Sequence, residues 1–220
     1  MKIHQLIRSH RRSVTLVITP AAELVVRAPL RVSLSYIEQL IARKRAWIER
    51  KQNEVAARPQ AEAKQFIPGE KYWYLGQEYA LAVGEKGCRA IAVHEQIWLP
   101  KRMLKNTRRH MLMWYKQEAL AVLTDRCAYY ARVMQVSPKA VKISSAQRRW
   151  GSCGSNGILN FTWRLVMAPI EVLDYVVVHE LAHLTHMNHS ARFWSCVHNT
   201  LPDYKARMNW LREHEGLLQI

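Results

Sequence analysis

A helix of the form H-E-x-x-H, set behind an apolar run, constrains this 220-residue chain more than any other feature. The run Val176-Val177-Val178-His179-Glu180-Leu181-Ala182-His183 places His179 and His183 four residues apart. On an α-helix that spacing puts both imidazoles on one face, about one turn from each other. Imidazoles so placed can each hold a zinc ion at roughly 2.0–2.1 Å. Glu180 lies next along the helix, within reach of a water on that ion, and suits the part of general base. The chain is therefore expected to build a buried helix here that forms one wall of a metal cleft.

A catalytic zinc takes three protein ligands and leaves a fourth position open. Two candidates follow, His186 and His189. On a continued helix His186 would fall in line with His179 and His183, its Cα about 10 Å from that of His179 along the axis. Ligands strung along one line surround a tetrahedral ion poorly. His189 follows Met187-Asn188, where Asn can adopt the left-handed conformation that ends a helix. A chain that turns there returns His189 to the metal from another direction, so His189 is the preferred third ligand.

The rest of the chain reads as short strands and helices. Val14–Thr19 and Leu24–Arg27 alternate as a hairpin around Pro20-Ala21-Ala22. A helix capped by Ser33 or Ser35 is expected to run to about Val55, with Ile37, Leu40, Ile41, Ile48 and Val55 on its apolar face and Arg43, Lys44, Arg45, Arg50 and Lys51 on the other. Residues 56–68 read as a linker. Tyr72–Val83 and Ala90–Leu99 flank Gly84-Glu85-Lys86-Gly87, a second expected hairpin. A long helix from about Leu104 to Val133 carries an expected stripe of Leu104, Met111, Tyr115, Val122, Tyr129 and Val133. Val141 and Ile143 begin a strand whose expected partner is Ile158–Leu165, and Pro169 opens the H-E-x-x-H helix. The expected domains are a basic, β-rich region over 1–100 and a catalytic region over 101–220.

Several segments carry a resemblance. Trp150-Gly151-Ser152-Cys153, Asn160-Phe161-Thr162-Trp163-Arg164-Leu165, Ala168-Pro169, the stretch from Val172 to His183, Met187-Asn188-His189-Ser190 and Phe193-Trp194 resemble the YgjP-like metallopeptidases. These are bacterial zincins related to the SprT and WLM groups. The resemblance is specific over about residues 140–200. It implies zinc (Zn2+) held by His179, His183 and His189, with Glu180 catalytic. With the element order, it gives an α+β fold: N-terminal β-hairpins and a helix packed with a mainly helical, zincin-like C-terminal core carrying a small antiparallel sheet. The His179-to-His189 spacing also matches the metzincin pattern, but His186 stands where that pattern has glycine, so only the ligand geometry is taken to be shared.

The implied reaction is peptide-bond hydrolysis by a zinc-bound water that Glu180 activates. Arg148, Arg149 or a backbone N–H near Trp150-Gly151 is the expected oxyanion donor. Phe193 and Trp194 are expected to pack beneath the site and hold the turn that carries His189.

Charge supplies the competing reading. The chain holds 33 Lys and Arg against 17 Asp and Glu, a net of +16. Residues 1–110 carry +12 of it and residues 111–220 carry +4. A basic front half attracts polyanions or acidic partners. The alternative function is thus nucleic-acid binding with a structural or vestigial zinc site, or proteolysis directed to DNA-associated proteins. The expected partners are a protein or peptide substrate, with nucleic acid a second candidate through the basic half. No apolar stretch approaches the roughly 20 residues of a membrane span, and the start lacks the pattern of a secretory signal. Cys88, Cys127, Cys153 and Cys196 form no C-x-x-C pair, and a cytoplasmic location with reduced thiols is the expectation.

Overall fold

The computed structural model describes residues 2–19, 21–57, 63–84 and 89–220. Pro20 of the first expected turn, much of the expected linker, the 85–87 turn and Cys88 lie outside the described residues. The chain is α+β and divides into two compact units, Met1–Gln60 and Ala61–Ile220. The break expected after residue 100 falls inside the second unit.

The first unit is a three-stranded sheet with two helices. β2 (Thr15–Ile18) and β3 (Leu24–Pro29) form the expected antiparallel hairpin. β1 (Gln5–Ser9), which no apolar alternation announced, pairs parallel to β3 on its other side. The single helix expected over residues 33–55 is two: α1 (Leu34–Arg43) and α2 (Arg45–Ala56), broken at Lys44, whose ψ of 9° departs from the helix. Ser33 is the N-cap and its hydroxyl accepts from the Tyr36 N–H at 3.2 Å. Ile37, Ile41 and Ile48 close over Leu24, Val26 and Ala28 to make the core. The basic face of α2 is partly neutralised by its own carboxylates, with Arg45 on Glu49 at 2.8 Å and Lys51 on Glu54 at 2.5 Å.

The second unit begins with β4 (Lys71–Tyr74) and β5 (Gln77–Gly84), an antiparallel hairpin closed by Leu75-Gly76. Both turn residues have positive φ, 48° and 82°, the conformation of a tight hairpin turn. The described strands on either side of residues 84–87 do not pair antiparallel with each other as expected. β7 (Ile97–Pro100) pairs parallel to β5, and the short β6 (Ala92–Val93) pairs antiparallel to β7. Alternation shows which residues face the core, but is the same for either strand direction.

After a 3-10 turn over Lys101–Asn106 comes α3 (Thr107–Val133). Its buried side is Met111, Trp114, Tyr115, Ala119, Leu123, Cys127, Tyr130 and Ala131. Of the expected stripe, Met111 and Tyr115 are buried, whereas Tyr129 and Val133 are exposed. The sheet next to the H-E-x-x-H helix is mixed rather than antiparallel: β8 (Ala140–Ser144) runs parallel to β10 (Ile158–Thr162), and β9 (Gly151–Cys153) pairs antiparallel to β10 from its other side.

α4 (Ile170–Ala182) follows, with residues from Val172 to Val178 all buried. α5 (Ala191–Thr200) and α6 (Tyr204–His214) complete the unit. Two contacts fix α4. The Gly76 turn abuts its start so closely that a Cβ on Gly76 would lie 2.8 Å from Pro169 Cα. In its middle, Asp174 accepts two bonds from the Arg126 guanidinium, at 2.6 and 2.7 Å, and one from the Tyr130 hydroxyl at 3.0 Å. No helix among the described residues is long and apolar enough to cross a membrane.

Candidate metal centre

His179 sits in the last turn of α4, and His183 caps that helix. The chain then turns through residues 184–190, with the N–H groups of Leu184 and His186 returning to the carbonyls of Leu181 and Ala182. Ser190 starts α5, its hydroxyl accepting from the Phe193 N–H at 3.5 Å. This turn brings His189 back over the end of α4. The Nε2 atoms of His189 and His179 lie 3.1 Å apart. Ligand atoms of His179, His183 and His189 all fall within 4.8 Å of one another.

His186 does not join the cluster through its ring. Its carbonyl oxygen lies 3.1 Å from His183 Nδ1, where it can accept that N–H. A proton fixed on Nδ1 leaves the His183 Nε2 lone pair free to face the cluster.

An aromatic floor holds the three rings. Phe193 is fully buried, and its ring lies 4.6 Å from His183, 4.8 Å from His189 and 4.9 Å from His179. Trp194 stacks on His189 at 5.7 Å and on Tyr204 at 5.4 Å. The placement expected for Phe193 and Trp194 is the one found. Tyr175 and Tyr204, which extend this floor, carried no signal in the sequence beyond being aromatic.

Glu180 projects from the same turn of α4 and is 6% exposed. It lies against β9, where Gly151 leaves room: a Cβ on Gly151 would stand 2.6 Å from Glu180 Oε1. Burial pushes the Glu180 carboxyl up to about 7, against the pull of Arg149 and of a hydrogen bond from the Cys153 N–H. His179 moves the other way, down to about 4, because it is buried and faces two further imidazoles. His183 is lowered too, chiefly by burial. Arg149 thus acts on the site by charge, while Arg148 makes no hydrogen bond or ion pair with it among the described residues.

The donor set fits a metal. Neutral imidazoles are what a divalent cation requires, and the lowered values of His179 and His183 keep them neutral near pH 7. Two nitrogens held tetrahedrally by one zinc at 2.0–2.1 Å would be about 3.4 Å apart, close to the His179–His189 separation. Buried His179 Nδ1 has no hydrogen-bond partner among the described residues. These three rings can hold a metal, with Glu180 beside it.

The metallopeptidase zymogen abylysin of Pyrococcus abyssi is similar over 42% of this chain and 97% of its own, at 20% identity and a TM-score of 0.38. None of the curated proteins matches. The family model described as YgjP-like, metallopeptidase domain, matches residues 12–214. The chain belongs to the YgjP-like metallopeptidase family.

Proposed function

We propose that the protein is a zinc-dependent peptidase, with the metal on His179, His183 and His189 and Glu180 as the general base. The observation that carries this reading is the convergence of three imidazoles within 4.8 Å beside a buried carboxylate. Zinc bound there would supply a Lewis acid that polarises the scissile carbonyl and acidifies water, from a pKa of about 15.7 towards 7.

The chain's own groups do the rest. Glu180 accepts the proton of the attacking water and passes it to the departing amine. Burial of its carboxyl favours the protonated form, which assists proton uptake from the water. Gly151 admits the carboxylate, and the Cys153 N–H holds it. β9 ends its sheet, in the order β8-β10-β9, so its outer edge offers backbone groups to an extended substrate beside Glu180. The free thiols of Cys127, Cys153 and Cys196 support a reducing, cytoplasmic setting.

Metal analysis tests the ligand set. Wild type and His186→Ala are expected to carry about one zinc per chain, and His189→Ala to lose it. The His186 substitution keeps the backbone carbonyl that His183 uses. Zinc retained by His189→Ala would remove the reading.

A further inference from the structure

We propose that a cavity at the N-terminal end of α3 is an exosite that captures an acidic segment of a protein substrate, anchored by an apolar side chain. The cavity has a volume of about 750 Å³ and lies between residues 65–67 and the first turns of α3. Lys105, Arg108, Arg109 and Lys116 line it, and no carboxylate does. None of these four cations is ion-paired with a carboxylate among the described residues. The neighbouring carboxylates are engaged elsewhere. Glu70 accepts from the Gln65 and Phe66 N–H groups, at 3.0 and 2.7 Å, and from the Tyr72 hydroxyl at 2.6 Å. Glu118 accepts from the Tyr74 hydroxyl at 2.7 Å. Four like charges gathered around one concavity repel each other until an anion enters, and guanidinium groups bind carboxylates in paired geometry.

The apolar lining selects among anions. Ile67 is 51% exposed and Met113 47% exposed, and both face this cavity. A peptide with carboxylates and an aliphatic side chain uses both kinds of wall. A nucleic-acid strand would use only the cations. The cavity's aromatic ring, Phe66, is buried and already engaged by the Arg108 guanidinium at 5.8 Å and by Tyr72 at 5.9 Å, so no open face remains for a base to stack on.

The cavity is separate from the metal centre. Arg108 stands 22 residues before Tyr130, the α3 residue that bonds Asp174 of α4, which is about 33 Å along the helix. A remote site of this kind raises the affinity for a protein substrate without touching the reacting bond. Its role in catalysis rests on the peptidase reading, but the binding itself does not.

The test is fluorescence anisotropy on the full chain with three labelled probes: a peptide of Asp, Glu and Leu, its amide counterpart of Asn, Gln and Leu, and an oligothymidylate of equal charge. The acidic peptide is expected to bind about tenfold or more tighter than its amide counterpart, with affinity falling as salt rises. Arg109→Glu with Lys116→Glu is expected to erase that preference. Met113→Ser is expected to weaken the peptide about threefold and leave the oligothymidylate unchanged. Equal affinity for the two peptides, or a preference that survives the charge reversal, would overturn the exosite. Tighter binding of the oligothymidylate, with Met113→Ser silent, would assign the cavity to nucleic acid instead. In a cleavage assay, fusing the acidic segment to a cleavable peptide should lower KM, and the double reversal should restore KM without changing kcat on a short neutral peptide. If wild type cleaves neither peptide, the peptidase reading fails while the binding preference still decides the cavity.

Discussion

Gly151 carries a constraint that the H-E-x-x-H motif does not announce. Its missing side chain is the space that the Glu180 carboxylate occupies. Gly151→Ala is expected to keep its zinc, because the three histidines lie elsewhere, and to lose about 100-fold in kcat/KM, since displacing a catalytic group by about an ångström costs that much. Zinc content and peptide cleavage measured together check this, and near-normal cleavage would show that Glu180 has slack. The convergence of the three histidines was legible in part. The four-residue spacing of His179 and His183 follows from the helix period, but the turn that returns His189 begins earlier than the expected Met187-Asn188: α4 ends at Ala182, and Asn188 does not take the left-handed conformation. The dependence on Gly151 was not legible, because it is a contact between β9 and α4 across the fold rather than a spacing along the chain.

Elements repeat this division between local and long-range information. α4 was readable from Pro169 and its apolar run. The ion pair that sets it against α3 was not, since Arg126 and Asp174 are 48 residues apart. Removing one partner of such a pair leaves the other charge poorly solvated, so Asp174→Ala is expected to cost about 3 kcal/mol in urea unfolding. A loss within the error of the measurement would mean that hydrophobic packing alone holds α4. The start of the β4–β5 hairpin is tied in a different way. Burial works to raise the Glu70 pKa, but the bonds from Tyr72, Gln65 and Phe66 outweigh it and hold the carboxyl below its ordinary value. A depressed folded-state value stabilises the fold above the ordinary carboxylate range, and the benefit is lost as pH falls through the folded value. The Tm difference between wild type and Glu70→Gln is therefore expected to be present at pH 7 and to shrink as pH falls below the ordinary carboxylate range. A difference constant across that range would contradict it. The mis-assigned hairpin near residue 84 and the break at Lys44 share one cause. Strand direction and a helix kink depend on what packs against the segment, and neither site holds a residue that forces the outcome alone.

At the scale of the whole molecule, the structural boundary redraws the charge map. A division at mid-chain, after residue 110, makes the front of the chain look basic and the back nearly balanced. The two compact units instead hold 12 Lys and Arg against 4 Asp and Glu, and 21 against 13, a net of +8 each. Basicity is thus shared, and within the second unit much of it gathers at the start of α3, away from the metal centre. The sheet β4-β5-β7-β6 joins the same hydrophobic core as α3 and α4, which is why residues 61–100 belong with the catalytic elements. Composition could not show this, because both sides of residue 100 are ordinary folded chain. The central claim is that a three-histidine metal site and Glu180 together hydrolyse peptide bonds. The direct measurement is the rate of casein cleavage by wild type and Glu180→Gln at matched zinc content. The account predicts one zinc per chain in both and a rate about 100- to 10,000-fold lower in the variant. A fully zinc-loaded Glu180→Gln protein that cleaves at the wild-type rate would contradict it.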